Sequence, residues 1–294
     1  MKTLVPVDES DAHKAVFDCL QSLQPPNLQV GLIHAVAPVP STFAVYPELY
    51  AYDTGTLTET LRSGARKLLN RAYNEAKDRG LRCEEILVNG YPSSMIADTA
   101  TVDKYDLIAI GSEPKGEMTR LFGGSVALNL ATGAEQSVLI VRSHHHPKGP
   151  FTAVFATDHS EYSNSCLEKL LNWNFGGLTH IEVLTAYQVS GDERLLASNS
   201  TVIAEDEVDK LIEERLCEKT ESVAEKIRQK GISASATVAK ADVHDAIRST
   251  MVARGAKLLI LGAKGHGLWK RVLLGSTAIH QVVGEPHSIL IVRA

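Results

Sequence analysis

The chain has 294 residues, of which 44% are hydrophobic and 22% charged, and this composition is typical of a folded globular protein, not of a disordered one. Its net charge of −5 argues against nucleic acid as the main partner, because binding to a phosphate backbone calls for a basic face. The first residues lack the long apolar run of a signal peptide, and no run approaches membrane-spanning length, so we expect a cytoplasmic protein without a membrane segment.

Short β-rich runs alternate with helical patterns through the first half of the chain. The predicted strands are Thr3–Val7, Gln29–Val36, Glu84–Val88, Leu107–Ile110 and Val138–Val141. Apolar residues recur at helical spacing from Ala15 to Leu23 and again from Ala65 to Ala76, and Gly80 is the expected C-cap of the second helix. Runs such as "DLIAIG" are continuously apolar, as expected of strands with helices on both faces. The alternation predicts an α/β fold with a doubly wound parallel sheet.

The second half of the chain repeats the first. The run "SVLIVR" at 137–142 returns as "SILIVR" at 288–293, and "TLVPVDES" near the start aligns with "AVFATDHS" at 153–160. We therefore predict two tandem domains, residues 1–143 and 151–294, with a linker at 144–150 and a five-stranded parallel sheet in each domain. The last strand of each domain would leave an apolar sheet edge unless it pairs. We expect the domains to pack as an intramolecular pseudo-dimer, and a homodimer of the whole chain is left open.

A glycine motif follows the fourth strand of the second half. It has the pattern G-x2-G-x9-G-S, written by Gly262, Gly265, Gly275 and Ser276. Glycines at a strand exit let backbone N–H groups approach a polyanion, and a helix that begins at Ser276 presents the positive end of its dipole. The cations Lys264, Lys270 and Arg271 add charge, with no acidic residue among them. The pattern predicts a phosphate site, although turn glycines and a simple helix cap at Ser276 remain an open alternative on spacing alone.

Three features together resemble the universal stress protein family: the glycine motif, "VPVD" at the end of the first strand, and the closing "SxLIVR" strand. The resemblance covers residues 2–142 and 151–294 and extends to tandem members of the family. It implies an adenine nucleotide alpha hydrolase-like, Rossmann-like fold that holds ATP, with Mg²⁺ as its candidate companion, without obvious turnover. In the family, an aspartate after the first strand and the backbone after the second contact the nucleoside, while the glycine loop holds phosphates. The cofactor-binding residues implied here are Asp158, the stretch after Leu184, Gly262, Gly265, Gly275, Ser276 and Thr277.

The corresponding positions in the first half are altered. Pro114 aligns with Gly265 and has no N–H to donate, and the segment 113–120 carries two cations and two anions, so it lacks the positive balance. An altered first-domain site would retain Asp8, Gly111, Gly124 and Ser125. We expect weak or no ATP binding there. Whether this half is only a structural twin or holds a second small-molecule ligand is open.

No catalytic or metal-binding residue is predicted, because paired carboxylates, ligand clusters and activated nucleophiles are missing at usable spacings. Slow ATP hydrolysis is the most catalysis that we expect. The run His144–His146 is interpreted as a solvated linker, Asp245 as a helix cap, and the four cysteines as buried and reduced.

The leading hypothesis is a stress-response protein that uses ATP in its second domain as a sensor or regulator. The alternative is a scaffold that binds partners or a non-nucleotide metabolite without dependence on ATP.

Overall fold

The computed structural model describes residues 1–38, 54–112, 125–143, 149–189, 205–264 and 274–294. The strands of the first half are β1 (Lys2–Pro6), β2 (Gln29–Val36), β3 (Cys83–Asn89), β4 (Leu107–Gly111) and β5 (Ser137–Val141). Its described helices are α1 (His13–Leu23), α2 (Thr54–Asp78), α3 (Pro92–Val102) and α4 (Ser125–Gly133). Each of the five predicted strands is confirmed to within one residue at either end.

The second half repeats this order of elements. Its strands are β6 (Phe151–Ala156), β7 (Leu178–Tyr187), β8 (Ser233–Lys240), β9 (Leu258–Gly262) and β10 (Ser288–Val292). Its described helices are α5 (Glu161–Trp173), α6 (Glu205–Gln229), α7 (Val243–Ala253) and α8 (Ser276–Gly284). The glycines that follow α2 and α6, Gly80 and Gly231, have φ of 74° and 82°, the left-handed conformation that favours glycine at a helix C-terminus.

All ten strands belong to one sheet, in the order β3-β2-β1-β4-β5-β10-β9-β6-β7-β8. Neighbouring strands are parallel within each half, whereas β5 and β10 pair antiparallel, with Leu139 opposite Leu290. The predicted doubly wound parallel architecture is confirmed, and the two five-stranded sheets are joined edge to edge. Every residue of β5 and β10 is buried, so the pairing removes the apolar edges that either half would expose alone.

Helices cover both faces of the sheet. Val5 and Phe155 point to one face and pack with α1, α2, α5 and α6, while the adjacent Leu4 and Val154 pack with α3, α4, α7 and α8 on the other. Strands β1 and β4 are neighbours, as are β6 and β9. In each half the strand order reverses between the two members of this pair: β2 and β3, or β7 and β8, lie on one side of it, and β5 or β10 lies on the other. Ligands of doubly wound sheets bind at such a switch point, outside the carboxyl ends of the strands.

Two expectations about single residues are wrong. Cys19 and Cys166 are buried, but Cys83 is half-buried and Cys217 is exposed. Among the described side chains of α6, the first buried one is Thr220, three positions after Cys217. The helix α7 is capped by Asp242 and not by Asp245, because the Asp242 carboxylate accepts a hydrogen bond from the backbone N–H of His244 at 2.8 Å. That bond is also the main reason that the pKa of Asp242 is lowered.

Candidate functional site

The aspartate after the first strand of each half is held by the serine two positions later. Asp158 Oδ1 accepts hydrogen bonds from the backbone N–H of Ser160 at 3.0 Å and from its hydroxyl at 2.7 Å. Asp8 Oδ1 accepts the same two bonds from Ser10, at 3.0 and 2.5 Å. Ser160 also caps α5 by accepting from the N–H of Ser163. The turn fixes each carboxylate at the carboxyl end of its strand, on the edge where a ligand is expected.

Leu184 lies inside β7, three residues before the strand ends at Tyr187. Its side chain is buried in the hydrophobic layer, and its carbonyl accepts a hydrogen bond from the N–H of Thr157 at 3.0 Å. The backbone of Leu184 is therefore engaged by the neighbouring strand end. The residues of β7 that lie nearer the ligand edge are those that follow it, beginning with Thr185.

A network of hydroxyl groups and one imidazole supports this edge of the second half. Thr220 Oγ1 donates to the carbonyl of Leu216 at 2.6 Å, so it accepts from Thr185 Oγ1 at 2.8 Å. With both hydroxyl protons used, His159 Nε2 must donate to the two threonine oxygens, at 2.9 and 3.2 Å. A neutral His159 is therefore the tautomer with its proton on Nε2. The loop that carries Asp158 is thereby tied to β7 and α6.

Sequence reasoning missed this network, because its members come from three separate elements. A comparison of the two halves contains a usable signal. Thr220 has an apolar counterpart, Leu69, in the first half, and Thr157, whose hydroxyl accepts from the backbone N–H of His159 at 3.0 Å, has Val7. Thr220 is fully buried, as are Ala224 and Ile227 in the same helix.

The glycine loop of the second half begins at the end of β9, next to the strand that leads to Asp158. Strands β6 and β9 pair in parallel with Ala156 opposite Leu261, so Asp158 and Gly262 leave neighbouring strands at the same edge. A Cβ added to Gly262 would lie 3.4 Å or more from its nearest neighbours among the described residues, which is an ordinary van der Waals distance, and the φ of Gly262 lies outside the left-handed region. Neither packing against the described residues nor backbone conformation therefore requires glycine at position 262.

The loop ends at the N-terminus of α8, which begins at Ser276 as predicted. Gly275 is the N-cap and has no side chain to accept from the first N–H groups of the helix, which lack intrahelical partners. Its own N–H donates to the carbonyl of Ala263 at 2.7 Å, which brings this N-terminus back beside the end of β9. Ser276 is exposed and Thr277 half-buried. The arrangement presents backbone donors and a positive dipole end at the switch point.

Lys264 places a positive charge at the same edge. It is exposed, and its Nζ lies 5.3 Å from the centre of the Tyr162 ring, on the first turn of α5. Burial raises the pKa of Tyr162 to about 12, so the phenol is neutral at physiological pH. Gly265, Lys270 and Arg271 lie outside the described residues, so the rest of the predicted cationic loop is left as a sequence-based expectation.

The first half shares the frame but has a different reason for its glycine. A Cβ added to Gly111 would lie 2.4 Å from the carbonyl oxygen of Ala12, a clash with backbone at the start of α1. Packing alone therefore requires glycine at this position. Pro114, the charges of 113–120 and Gly124 lie outside the described residues, as do the side chain of Ser125 and the run His144–His146.

The described parts of the chain contain neither a metal-binding cluster nor a membrane-spanning helix. Among these residues no group of three His, Cys, Asp or Glu side chains is placed to hold a metal ion. Neither 25-residue helix, nor any other helix in these segments, is long and apolar enough to cross a bilayer.

Comparison with known proteins agrees with this architecture. Universal stress protein MJ0531 of Methanocaldococcus jannaschii is 25% identical over 142 residues, which are 48% of this chain and 81% of that protein. Universal stress protein YxiE of Bacillus subtilis is 27% identical over 147 residues, 48% of this chain and 98% of that protein. A solved universal stress protein from Archaeoglobus fulgidus has a TM-score of 0.70 at 17% identity and covers 99% of this chain and 96% of its own, which is a similarity of fold.

The model of the universal stress protein family matches the sequence twice, at residues 1–142 and at residues 152–293. Because the two matches together span nearly the whole chain, the protein belongs to the universal stress protein family.

Proposed function

We propose that the second half, residues 151–294, binds ATP at the carboxyl edge of β6 and β9, and that the protein acts in the cytoplasm as an ATP-dependent sensor or regulator in a stress response. The observation that carries the proposal is the space at Gly262. Because neither packing against the described residues nor φ requires a glycine there, the close approach of a ligand to the backbone accounts for it. Gly111, at the same place in the first half, is explained by packing instead.

The charges at this edge favour a polyphosphate as the ligand. The N-terminus of α8 offers backbone N–H groups at Ser276 and Thr277, and a helix dipole typically contributes about 0.3–1 kcal/mol to the binding of a negative group. Lys264 adds an exposed cation at the start of the loop. Mg²⁺ would arrive with the nucleotide and be held by its phosphates, since three-ligand metal groups are missing among the described side chains.

The nucleoside end of ATP belongs beside Asp158, by the family resemblance. The Oδ1 atom of Asp158 accepts from Ser160, which orients the carboxylate for a ribose hydroxyl. His159, fixed through Nε2 by Thr185 and Thr220, holds the loop in place. The contact with the base is assigned to the backbone that follows Leu184.

The first half is proposed to bind ATP weakly or not at all. Its retained aspartate, Asp8, occupies the same turn as Asp158, but the glycine that follows β4 is accounted for by packing against Ala12. We therefore expect one ATP per chain, bound in the domain that follows the linker at 144–150. A different small ligand in the first half would bind without competing with ATP.

Isothermal titration of the full chain with ATP and Mg²⁺ tests the proposal, with Gly262→Ala as the decisive variant. We expect saturable binding of one ATP to the wild-type chain and a loss of at least about tenfold in affinity, roughly 1.4 kcal/mol, in Gly262→Ala. The fold should be unaffected, because the added Cβ has room. Gly284→Ala is the matched control, since its Cβ also has room and lies at the opposite end of α8.

Two results would contradict the proposal. Wild-type protein that does not bind ATP at millimolar concentration would favour the alternative function, a scaffold for partners or for a non-nucleotide metabolite. Equal ATP affinity in Gly262→Ala and the wild type would remove the glycine loop as the site, even if ATP binds elsewhere.

A further inference from the structure

Arg142 is a buried cation of the first half that forms hydrogen bonds with both halves of the molecule. Its side chain is only 5% exposed. One terminal nitrogen donates to the hydroxyl of Ser112 at 2.7 Å, and the other donates to the carbonyl of Val282 at 2.5 Å. A buried guanidinium is costly unless it is bonded, so these two acceptors hold it in one position.

The two acceptors belong to elements with distinct roles. Ser112 directly follows Gly111 and is the first residue of the altered glycine loop. Val282 lies in the last turn of α8, six residues after Ser276, which corresponds to about 9 Å along the helix axis. The helix whose first turn is proposed to bind phosphate is therefore anchored at its other end, through Arg142, to the loop of the opposite half.

This link is one-sided, although the two halves are otherwise related. Arg293, the counterpart of Arg142 at the end of β10, donates to the carbonyls of Ala131 and Gln136 in the first half. The residue of the second half that corresponds to Ser112 is Ala263, which has no hydroxyl to accept from Arg293. Among the described residues, Arg142 therefore links Ser112 of the first half to the C-terminal end of α8, and no side chain makes the corresponding link from Ala263 of the second half.

We propose that Arg142 is a positioning residue for α8 and that Ser112, which directly follows β4 of the first half, acts through Arg142 on nucleotide affinity in the second half. The inference rests on the proposed ATP site. Because the guanidinium fork is planar and rigid, a displacement of Ser112 shifts the hydrogen bond to Val282 and hence α8. By reciprocity, phosphate bound at Ser276 stabilises the bonded position of Ser112 by the same coupling free energy.

Ser112→Ala in the full chain is the test, with Ser137→Ala as its matched control. Both variants remove one buried serine hydroxyl, but Ser137 accepts from the backbone N–H of Arg293, and none of the hydrogen bonds between described residues joins it to α8. We expect Ser112→Ala to weaken ATP binding by about fivefold, the lower end of typical coupling between sites. Its adenosine affinity should be unchanged, because adenosine has no phosphate to meet α8. Ser137→Ala should alter neither affinity.

Hydrogen–deuterium exchange of α8 without nucleotide provides an arm that does not depend on ATP. We expect faster exchange at the amides of 279–284 in Ser112→Ala and no change in Ser137→Ala. Unchanged exchange in α8, or equal losses of ATP and adenosine affinity, would overturn the coupling. A wild-type chain that fails to bind ATP would overturn the proposed function, and this failure is visible separately from the exchange result.

Discussion

At the scale of single residues, Gly31 of the first half and Glu182 of the second occupy equivalent positions on the second strand, but different side chains surround them. Gly31 lies beside Leu4 and opposite Glu84 on β3, while Glu182 lies beside Val154 and opposite Ser235 on β8. In the first half the Tyr105 hydroxyl fills the space above Gly31 and donates to Glu84 at 3.1 Å. Burial raises the pKa of Tyr105, which keeps the phenol a donor.

The second half solves the same packing problem with a different set of residues. Ala256 stands at the position of Tyr105, and the fully buried carboxylate of Glu182 occupies the space. Glu182 accepts from the hydroxyls of Ser235 and Thr237 at 2.5 and 2.6 Å and pairs with Arg254 at 2.9 Å. The first half thus places an exposed carboxylate, Glu84, on its third strand, whereas the second half buries Glu182 on its second strand and supplies it with donors.

The close approach of Gly31 and Tyr105 predicts that the effects of substitutions at these two positions on stability are coupled. A Cβ on Gly31 would lie 2.1 Å from the tyrosine hydroxyl, so Gly31→Ala should cost about 1–3 kcal/mol of unfolding free energy through overpacking. In a Tyr105→Ala background that cost should largely vanish, because the clashing ring is gone. Urea denaturation of the four chains of this double-mutant cycle measures the difference.

Gly64→Ala is the control for this cycle, since no described atom outside its own turn of helix lies within 4 Å of the added Cβ and an alanine in a helix stabilises by about 0.5–1 kcal/mol. Equal costs of Gly31→Ala in both backgrounds would show that Tyr105 is not the cause.

At the scale of elements, a glycine turn of the second half packs on the end of α1. The N–H groups of Gly176 and Gly177 donate to the carbonyls of Gln24 and Leu23, at 3.3 and 3.1 Å. The equivalent positions in the first half are Pro26 and Asn27, and proline has no N–H to donate. The contact between α1 and this turn therefore has no sequence counterpart on the other side.

The two adjacent glycines should respond differently to the same substitution. A Cβ on Gly177 would lie 1.6 Å from the backbone oxygen of Ser22, so Gly177→Ala should cost 2 kcal/mol or more, roughly the upper range for overpacking. On Gly176 the nearest atom is the flexible amide oxygen of Gln24 at 3.3 Å, and Gly176→Ala should be nearly neutral. Thermal unfolding of both variants measures the contrast, and similar shifts in Tm would contradict the proposed close contact.

The elements also show which features the sequence predicts and which it does not. Strand β2 is predicted without error at Gln29–Val36, and α8 begins at Ser276, because apolar runs and glycine–serine starts are local signals. The carboxyl edge shared by Asp158 and Gly262 follows from topology, which the repeat and the strand alternation predict. The partners of buried polar groups do not follow: Glu182 with Arg254, or His159 with Thr220, lie more than sixty residues apart and depend on packing of the whole fold.

At the scale of the whole molecule, the two halves share one sheet through strands that are entirely buried. Separation of the halves would expose the apolar edges of β5 and β10 and break the bonds of Arg142 and Arg293 across the junction. Such an interface resembles the interior of a domain, because its strands carry only apolar side chains apart from their first serines. The halves should therefore behave as one cooperative unit, although each repeats a complete strand order.

The chain contains an internal pair of probes for this cooperativity. Cys19 in α1 and Cys166 in α5 are both fully buried, one in each half, and burial raises the pKa of both thiols, that of Cys19 to about 12. In a Cys83→Ser/Cys217→Ser background, a thiol reagent therefore labels each remaining cysteine only when its half unfolds. We expect Cys19 and Cys166 to become reactive at the same urea concentration, as peptide mass spectrometry of the labelled protein would measure.

A perturbation of the junction sharpens this prediction. Ser137 and Ser288 accept hydrogen bonds from the backbone N–H groups of Arg293 and Arg142 across it. Replacing both serines by alanine should lower the two labelling midpoints together, each lost bond costing about 0.5–1.5 kcal/mol. Midpoints that separate in the parent background would mean that either half survives without the other. The shared strands β5 and β10 would then join two independent domains, and the coupling assigned to Arg142 would act between units that unfold on their own.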